Sequence, residues 1–255
     1  MRERIVFPGR RLGRKAIKTD TRTLRLARYL TPTLPAPPTA QDWTKGITAW
    51  GMMLNDQLGD CTIAGRQHAI QVWSANLGNE VTLPDADALT AYEQWCGYVD
   101  GDASTDNGGV ELDVLTDWKQ KGAALDGHEL TGFAAANVTN LTEIRQAIAL
   151  FGGVYIGVSL PLSAQQQTVW DVVPDDGSGD TAAGSWGGHC VFVPKYDASS
   201  FTCVSWGELL PMTTAFWNAY CDEAYALFSP DWLANGMAPS GFDAAQLAAD
   251  LKAID

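Results

Sequence analysis

From Cys61 onward the apolar residues recur at helical spacing. Ile63, Ala64, Ala69, Ile70 and Trp73 form one face, which predicts a helix from 60 to about 78. The stretch before it, Asn55-Asp56-Gln57-Leu58-Gly59-Asp60, is dense in turn formers and reads as a loop. A second helix is expected over Leu83 to Tyr98, with Ala88, Leu89, Tyr92 and Trp95 on one side, and a third over Val110 to Lys121. Glu143 to Val158 reads as a helix followed by the apolar strand Gly-Gly-Val-Tyr-Ile-Gly-Val. Beyond Val158 the pattern turns to β character. Ser163 to Gly184 is a polar loop, Gly187 to Val193 and Phe201 to Trp206 are strands, and Met212, Phe216, Trp217, Tyr220 and Tyr225 are core aromatics and their neighbours. Phe242 to Ile254 predicts a terminal helix. At the other end, Arg22 to Leu30 predicts a short amphipathic helix, and Thr31 to Thr39, with four prolines, a stiff extended connector. No internal repeat is present.

Charge changes this picture at one end. Residues 1–28 hold ten basic residues against Glu3 and Asp20, a net of +8, so a whole-chain charge of −13 leaves −21 on the remainder. A basic arm precedes an acidic body. It is expected either to fold back on that body or to dock on an acidic protein surface. Nucleic acid is disfavoured, because the arm has only Phe7 and Tyr29 for stacking and the body repels phosphate.

With 255 residues and 46% hydrophobic residues, the chain can build one large domain or two small ones. Its five cysteines show no paired metal-ligand spacing and read as reduced thiols, with no metal and no cofactor expected. The N-terminus lacks the apolar core of a signal peptide, and no apolar stretch is long enough to span a bilayer, so no membrane partner is expected. The acidic loop Asp100 to Gly109 does not follow the calcium-loop order and reads as solvated. Asn137-Val138-Thr139 and Asn140-Leu141-Thr142 are formal glycosylation sequons that read here as a loop and a helix cap.

Two residues carry candidate chemistry. Cys61 opens a helix, where the dipole favours a thiolate. His189 enters an apolar strand 128 residues later, in Gly187-Gly188-His189-Cys190-Val191. His68 lies two turns along the Cys61 helix, too far along the axis to be its base, and reads as structural.

In this order the segments resemble the papain-like cysteine peptidases. Asp42-Trp43 is similar to the dipeptide opening that domain, and Asn55 to Ala64 to the nucleophile loop and helix. Asp106-Asn107-Gly108-Gly109 resembles the Gly-Gly element of the cleft. Gly188-His189 is similar to the histidine strand, and Ser205-Trp206-Gly207 to the end of Asn-Ser-Trp-Gly. The segments also look similar to uncharacterised proteins of bacteria and tailed phages. The resemblance implies an α+β, two-lobed fold over residues 41–235, with Cys61 in a helical lobe and His189 in an antiparallel β lobe. Residues 1–40 then form the arm and connector, and 236–255 a C-terminal helix.

It further implies Cys61 and His189 as catalytic dyad, Asn55 or Gln57 as oxyanion donor, and Gly108, Gly109 and Trp206 in the cleft. The sequence departs from the family in three places. Leu-Gly-Asp-Cys-Thr replaces Cys-Gly-Ser-Cys-Trp, Asn55 stands where a glutamine is usual, and Val204 stands where an asparagine would orient the histidine. Two functions follow. One is a thiol hydrolase acting on a peptide or isopeptide bond of a protein substrate. The other is a catalytically weakened domain with a binding or structural role, such as a virion-associated protein held by its arm. A cell-wall amidase with a Gly-Asp-Cys nucleophile is a third class, but there the histidine usually lies much closer in sequence. Location is expected to be cytoplasmic or virion-associated. The arm also has the position of a propeptide, though it is short for one.

Overall fold

The computed structural model describes residues 9–30, 36–175 and 177–232. The expected terminal helix lies outside them, as do the first eight residues of the arm and the connector from Thr31 to Pro35.

In chain order the elements are strands β1 (Leu24–Arg25) and β2 (Gln41–Asp42), helices α1 (Cys61–Asn76), α2 (Asp85–Cys96) and α3 (Glu111–Leu125), and strand β3 (Gly132–Ala135). Then come α4 (Leu141–Phe151), β4 (Val154–Leu160), β5 (Gly187–Tyr196), β6 (Ser200–Ser205), β7 (Glu208–Thr213), α5 (Thr214–Tyr220) and β8 (Cys221–Phe228). One sheet runs in the order β1-β3-β8-β4-β5-β6-β7, with β2 paired to β5. Only the β1–β3 pairing among these strands is parallel; the others are antiparallel.

Both faces of the central strands are buried, and the two-residue strand period sorts their side chains between two cores. In β4, Val154, Ile156 and Val158 join the core under α4 and α5, while Tyr155 joins the core under α1 to α3. In β5, Val191 and Val193 take the first side, Cys190 and Phe192 the second. Helix α1 runs between helices α2 and α3 and the sheet and is buried from Cys61 to Trp73. Three of its polar residues, Arg66, His68 and Gln71, find hydrogen-bond partners inside the protein. The Arg66 guanidinium forms two hydrogen bonds to Asp126, at 2.7 and 2.8 Å, and lies between the rings of Trp95 and Trp118. Gly65 lets α1 approach β4 and β5: a Cβ there would lie 3.1 Å from the Tyr155 ring and 3.4 Å from the Cys190 sulfur.

The expected helix over 22–30 is instead the short strand β1 and a single 3-10 turn, Leu26–Arg28. Pairing with β3 and complete burial of Leu26 override the local helical pattern. The second sequon gives the expected cap: Asn140 Oδ1 accepts the Glu143 N–H at the start of α4. Among the described residues no helix is long and apolar enough to cross a membrane, and no cluster of three or more metal-ligating side chains occurs.

Candidate active site

Cys61 is the first residue of α1 and is fully buried. Its sulfur accepts the Cys190 N–H at 3.4 Å, so the nucleophile candidate lies against the residue that follows His189. No hydrogen bond joins Cys61 to His189 themselves. The Gly13 backbone N–H is a further donor to the thiol, but burial dominates and pushes the thiol up to about 12.

His189 is also fully buried. Its Nε2 lies 2.7 Å from Ser205 Oγ, and the Trp206 ring stacks on the imidazole at 4.4 Å between centroids and 10° between planes. Nδ1 has no hydrogen-bond partner. In the tautomer whose Nε2–H donates to Ser205 Oγ, Nδ1 is the bare, basic nitrogen. Burial and the positive charge of Arg14 push His189 down to about 3, so the ring is neutral. Val204 has no group to hydrogen-bond an imidazole, but its neighbour Ser205 supplies the hydrogen bond that the sequence lacked at the expected position. Missing it was a matter of register: the serine is one residue nearer the tryptophan.

The Trp206-Gly207 turn explains how the tryptophan reaches the histidine. Both residues have positive φ, +49° and +74°, between paired Ser205 and Glu208, the backbone of a two-residue hairpin turn twisted to match its strands. A left-handed tryptophan costs roughly 1–2 kcal/mol, offset here by ring stacking and by its Nε1–H bond to Arg11 O.

The oxyanion candidates are differently placed. Asn55 is buried, and its amide donates to Leu58 O and Asp60 Oδ1, both at 3.1 Å. Its two protons are thus committed within the loop. Gln57 is exposed. Asp60 is fully buried beside Cys61, and burial raises its carboxyl well above the usual range. His68 is structural, as expected: its Nε2 lies 2.8 Å from Gly51 O, and burial pushes it down to about 4.

Of the two expectations for the basic arm, residues 10–15 follow the one in which it folds back on the body. Residues 10–15 run between the two sides of the site. Arg11 N–H donates to Asn55 O, Gly109 N–H to Gly13 O, Lys15 N–H to Gly109 O and Arg14 N–H to Gly188 O. Gly109 and Arg14 form a parallel bridge. Glycine is required on both sides. A Cβ on Gly13 would lie 1.6 Å from Gly59 O, one on Gly108 1.8 Å from Gly13 O, and one on Gly188 2.4 Å from Arg14 O. Arg10 covers the Trp206 ring at 5.0 Å. Gly108, Gly109 and Trp206, expected in a cleft, thus all touch the arm. The charge pattern had shown the +8 segment and the acidic body, but side-chain charge says nothing about which groove a backbone enters.

In sequence, the chain matches no family model and no curated protein. In structure it is similar to xylellain, a cysteine protease from Xylella fastidiosa, with a TM-score of 0.64 and 14% identity over 87% of this chain and 98% of that one. It is also similar to digestive procathepsin L 3 of Tenebrio molitor larval midgut (TM-score 0.54, 12% identity, 78% of this chain and 72% of that one). A third is the Carica candamarcensis cysteine protease CMS1MS2, solved in complex with E-64 (TM-score 0.51, 16% identity, 74% and 98%). Cys61 opening a helix under the sheet, and His189 on a central antiparallel strand, thus sit in a two-lobed α+β architecture, and the fold of this chain is the papain-like one.

Proposed function

We propose that the chain is a papain-like thiol hydrolase that cleaves a peptide or isopeptide bond through Cys61 and His189, and that residues 10–15 hold it closed. The observation that carries this reading is the extended backbone of the arm, strapped to Gly109 and Gly188 and laid against the Cys61 sulfur. A groove that takes one extended chain in this way suits a peptide substrate.

In the reaction Cys61 Sγ attacks the carbonyl carbon and His189 Nδ1 takes the thiol proton. The C–N bond breaks as the imidazolium returns that proton to the leaving amine. Water then attacks the thioester, with His189 again as base, and releases the acid and free Cys61. Ser205 and Trp206 keep the ring in place. The Cys61 N–H, at a helix N-terminus, is the oxyanion donor that remains once Asn55 is committed to its loop and Gln57 to solvent.

A second reading, a catalytically silent domain, draws on the closed state: with the thiol pushed up to about 12 and the imidazole down to about 3, no thiolate–imidazolium pair exists while the arm is docked. Hydrolysis of fluorescein-labelled casein separates the two. The full chain carrying Arg14→Ala should cleave it, and adding Cys61→Ala should remove at least a thousand-fold of that rate, on the order of the loss when a catalytic nucleophile is deleted. No Cys61-dependent cleavage by the folded variant favours the silent domain.

A further inference from the structure

Arg14 is a surface-type side chain buried in a pocket of carboxylates. Its Nη1 donates to Glu223 Oε2 at 3.1 Å, and its Nη2 donates to Asp222 Oδ2 at 2.8 Å and Ser159 Oγ at 3.3 Å. Glu111 Oε1 lies 3.9 Å from Nε. The side chains of Glu111, Glu223 and Arg14 are all at least nine-tenths buried. Gly157 makes the room, since a Cβ there would lie 2.5 Å from Nη1. Tyr225 donates to the second Glu223 oxygen and fixes that carboxylate.

Two features mark a site shaped for a guanidinium rather than ordinary charge pairing. Three carboxyl groups face one cation, and the fully buried Glu111 carboxyl makes no short hydrogen bond, with the Cys190 thiol beside it and Arg14 Nε at 3.9 Å. A core built for stability alone has no use for a carboxyl group in that state. The pocket also opens beside the thiol: Gly13, next to Arg14, touches Cys61, and Cys190, next to His189, is on the pocket side of β5. A cavity of about 510 Å³ beneath Ile17 to Asp20 shares Asp222 and Glu223 with it, so the side chain most deeply enclosed along the arm is that of Arg14, beside the backbone bonds on either side of it.

We propose that Glu111, Asp222 and Glu223 form a specificity pocket for an arginine side chain, so that the cleft takes peptides bearing a Gly-Arg pair, and that Arg14 occupies this pocket in cis. The proposal rests on reading the cleft as a peptide site, and it gives that reading a substrate class. Lysine is a poorer occupant, because one ammonium cannot reach carboxylates on two sides of a planar fork at once. Gly13 adds a second selection, since any side chain at that place meets Gly59 O.

The test is a binding measurement, so its result is separate from whether bonds are cut. Acetylated peptides with the sequence of residues 9–18, carrying either arginine or its neutral isostere citrulline at the position of Arg14, are titrated by fluorescence anisotropy into the full chain with Arg14→Ala. The arginine peptide should bind at least ten-fold more tightly, and Glu223→Gln should reduce that ratio. A third peptide with alanine for Gly13 should bind at least ten-fold more weakly than the arginine peptide.

If Arg14→Ala fails to fold, the unaltered chain serves. Excess arginine peptide should raise hydrogen exchange at the chain's own Arg14 and Lys15 amides, and the citrulline peptide should not. Equal effects of the two peptides, or no effect of either, overturn the pocket. Arginine-selective binding without any casein cleavage leaves the pocket standing and removes the hydrolase reading.

Discussion

Ser205 is the residue on which the candidate dyad turns. Loss of one neutral hydrogen bond is worth about 1 kcal/mol, so Ser205→Ala should lower kcat five- to ten-fold with KM unchanged, while Ser205→Asn should recover part of it. Steady-state kinetics on the open-cleft variant checks this. An unchanged kcat would assign the orientation of His189 to Trp206 stacking alone. His68 gives a pH prediction. Its pKa is pushed down to about 4 in the folded chain, against about 6.5 when unfolded. Between those values the unfolded state holds a proton that the native state lacks, so this residue's contribution to stability falls as pH drops below about 6.5. Relative to His68→Gln, whose amide can still donate to Gly51 O, the wild type should lose about 1.4 kcal/mol per pH unit between pH 6 and 5. Urea unfolding at the two pH values measures it. The sequence picks out Cys61 and His189 by their spacing, and the structure places Cys61 against Cys190, the neighbour of His189. Their partners are not legible there: Ser205 stands in the Ser-Trp-Gly match without any sign that it bonds His189, and Asn55 spends its amide locally.

At the level of elements, the sequence pattern found α1, α2, α3 and the β5 and β6 strands, because long periodic segments carry their own signal. It misread 22–30, where a two-residue strand is specified only by its partner β3. It also could not foresee that α1 is buried from every side, since Arg66, Gln67 and Gln71 look like a solvent face until their burial is known. Breaking the Arg66 pair should therefore cost more than a surface ion pair. Asp126→Ala leaves a buried, unpaired guanidinium and should destabilise the chain by about 3–5 kcal/mol, read from the urea midpoint. A loss below about 1 kcal/mol would mean that the two tryptophan rings alone hold the charge.

For the whole molecule, the arm is the part that the sequence left open, between folding back on the body and docking elsewhere. Composition separated a basic arm from an acidic body, and Arg10, Arg14 and Lys18 do pair with body carboxylates, yet the backbone hydrogen bonds and glycine contacts that fix the path of the arm are nothing a charge count reports. Two truncations distinguish its parts. Removing residues 1–18 should leave a folded chain with an open cleft. Removing residues 1–30 also takes away the fully buried Leu26 and strand β1, and should cost a further 2–3 kcal/mol or so from the leucine side chain alone. Thermal melts of the two forms check this, and identical stabilities would contradict the packing described for Leu26.

The central claim is that Cys61 is an active nucleophile held shut by the arm. E-64 labelling followed by intact-mass measurement and peptide mapping tests it most directly. In the unaltered full chain little adduct should form. With Arg14→Ala one equivalent should attach, on Cys61, and His189→Ala in the same chain should slow attachment at least a hundred-fold, a typical loss for a general base. Failure of the folded Arg14→Ala chain to react, or an adduct on Cys96 or Cys221 in place of Cys61, would contradict the account.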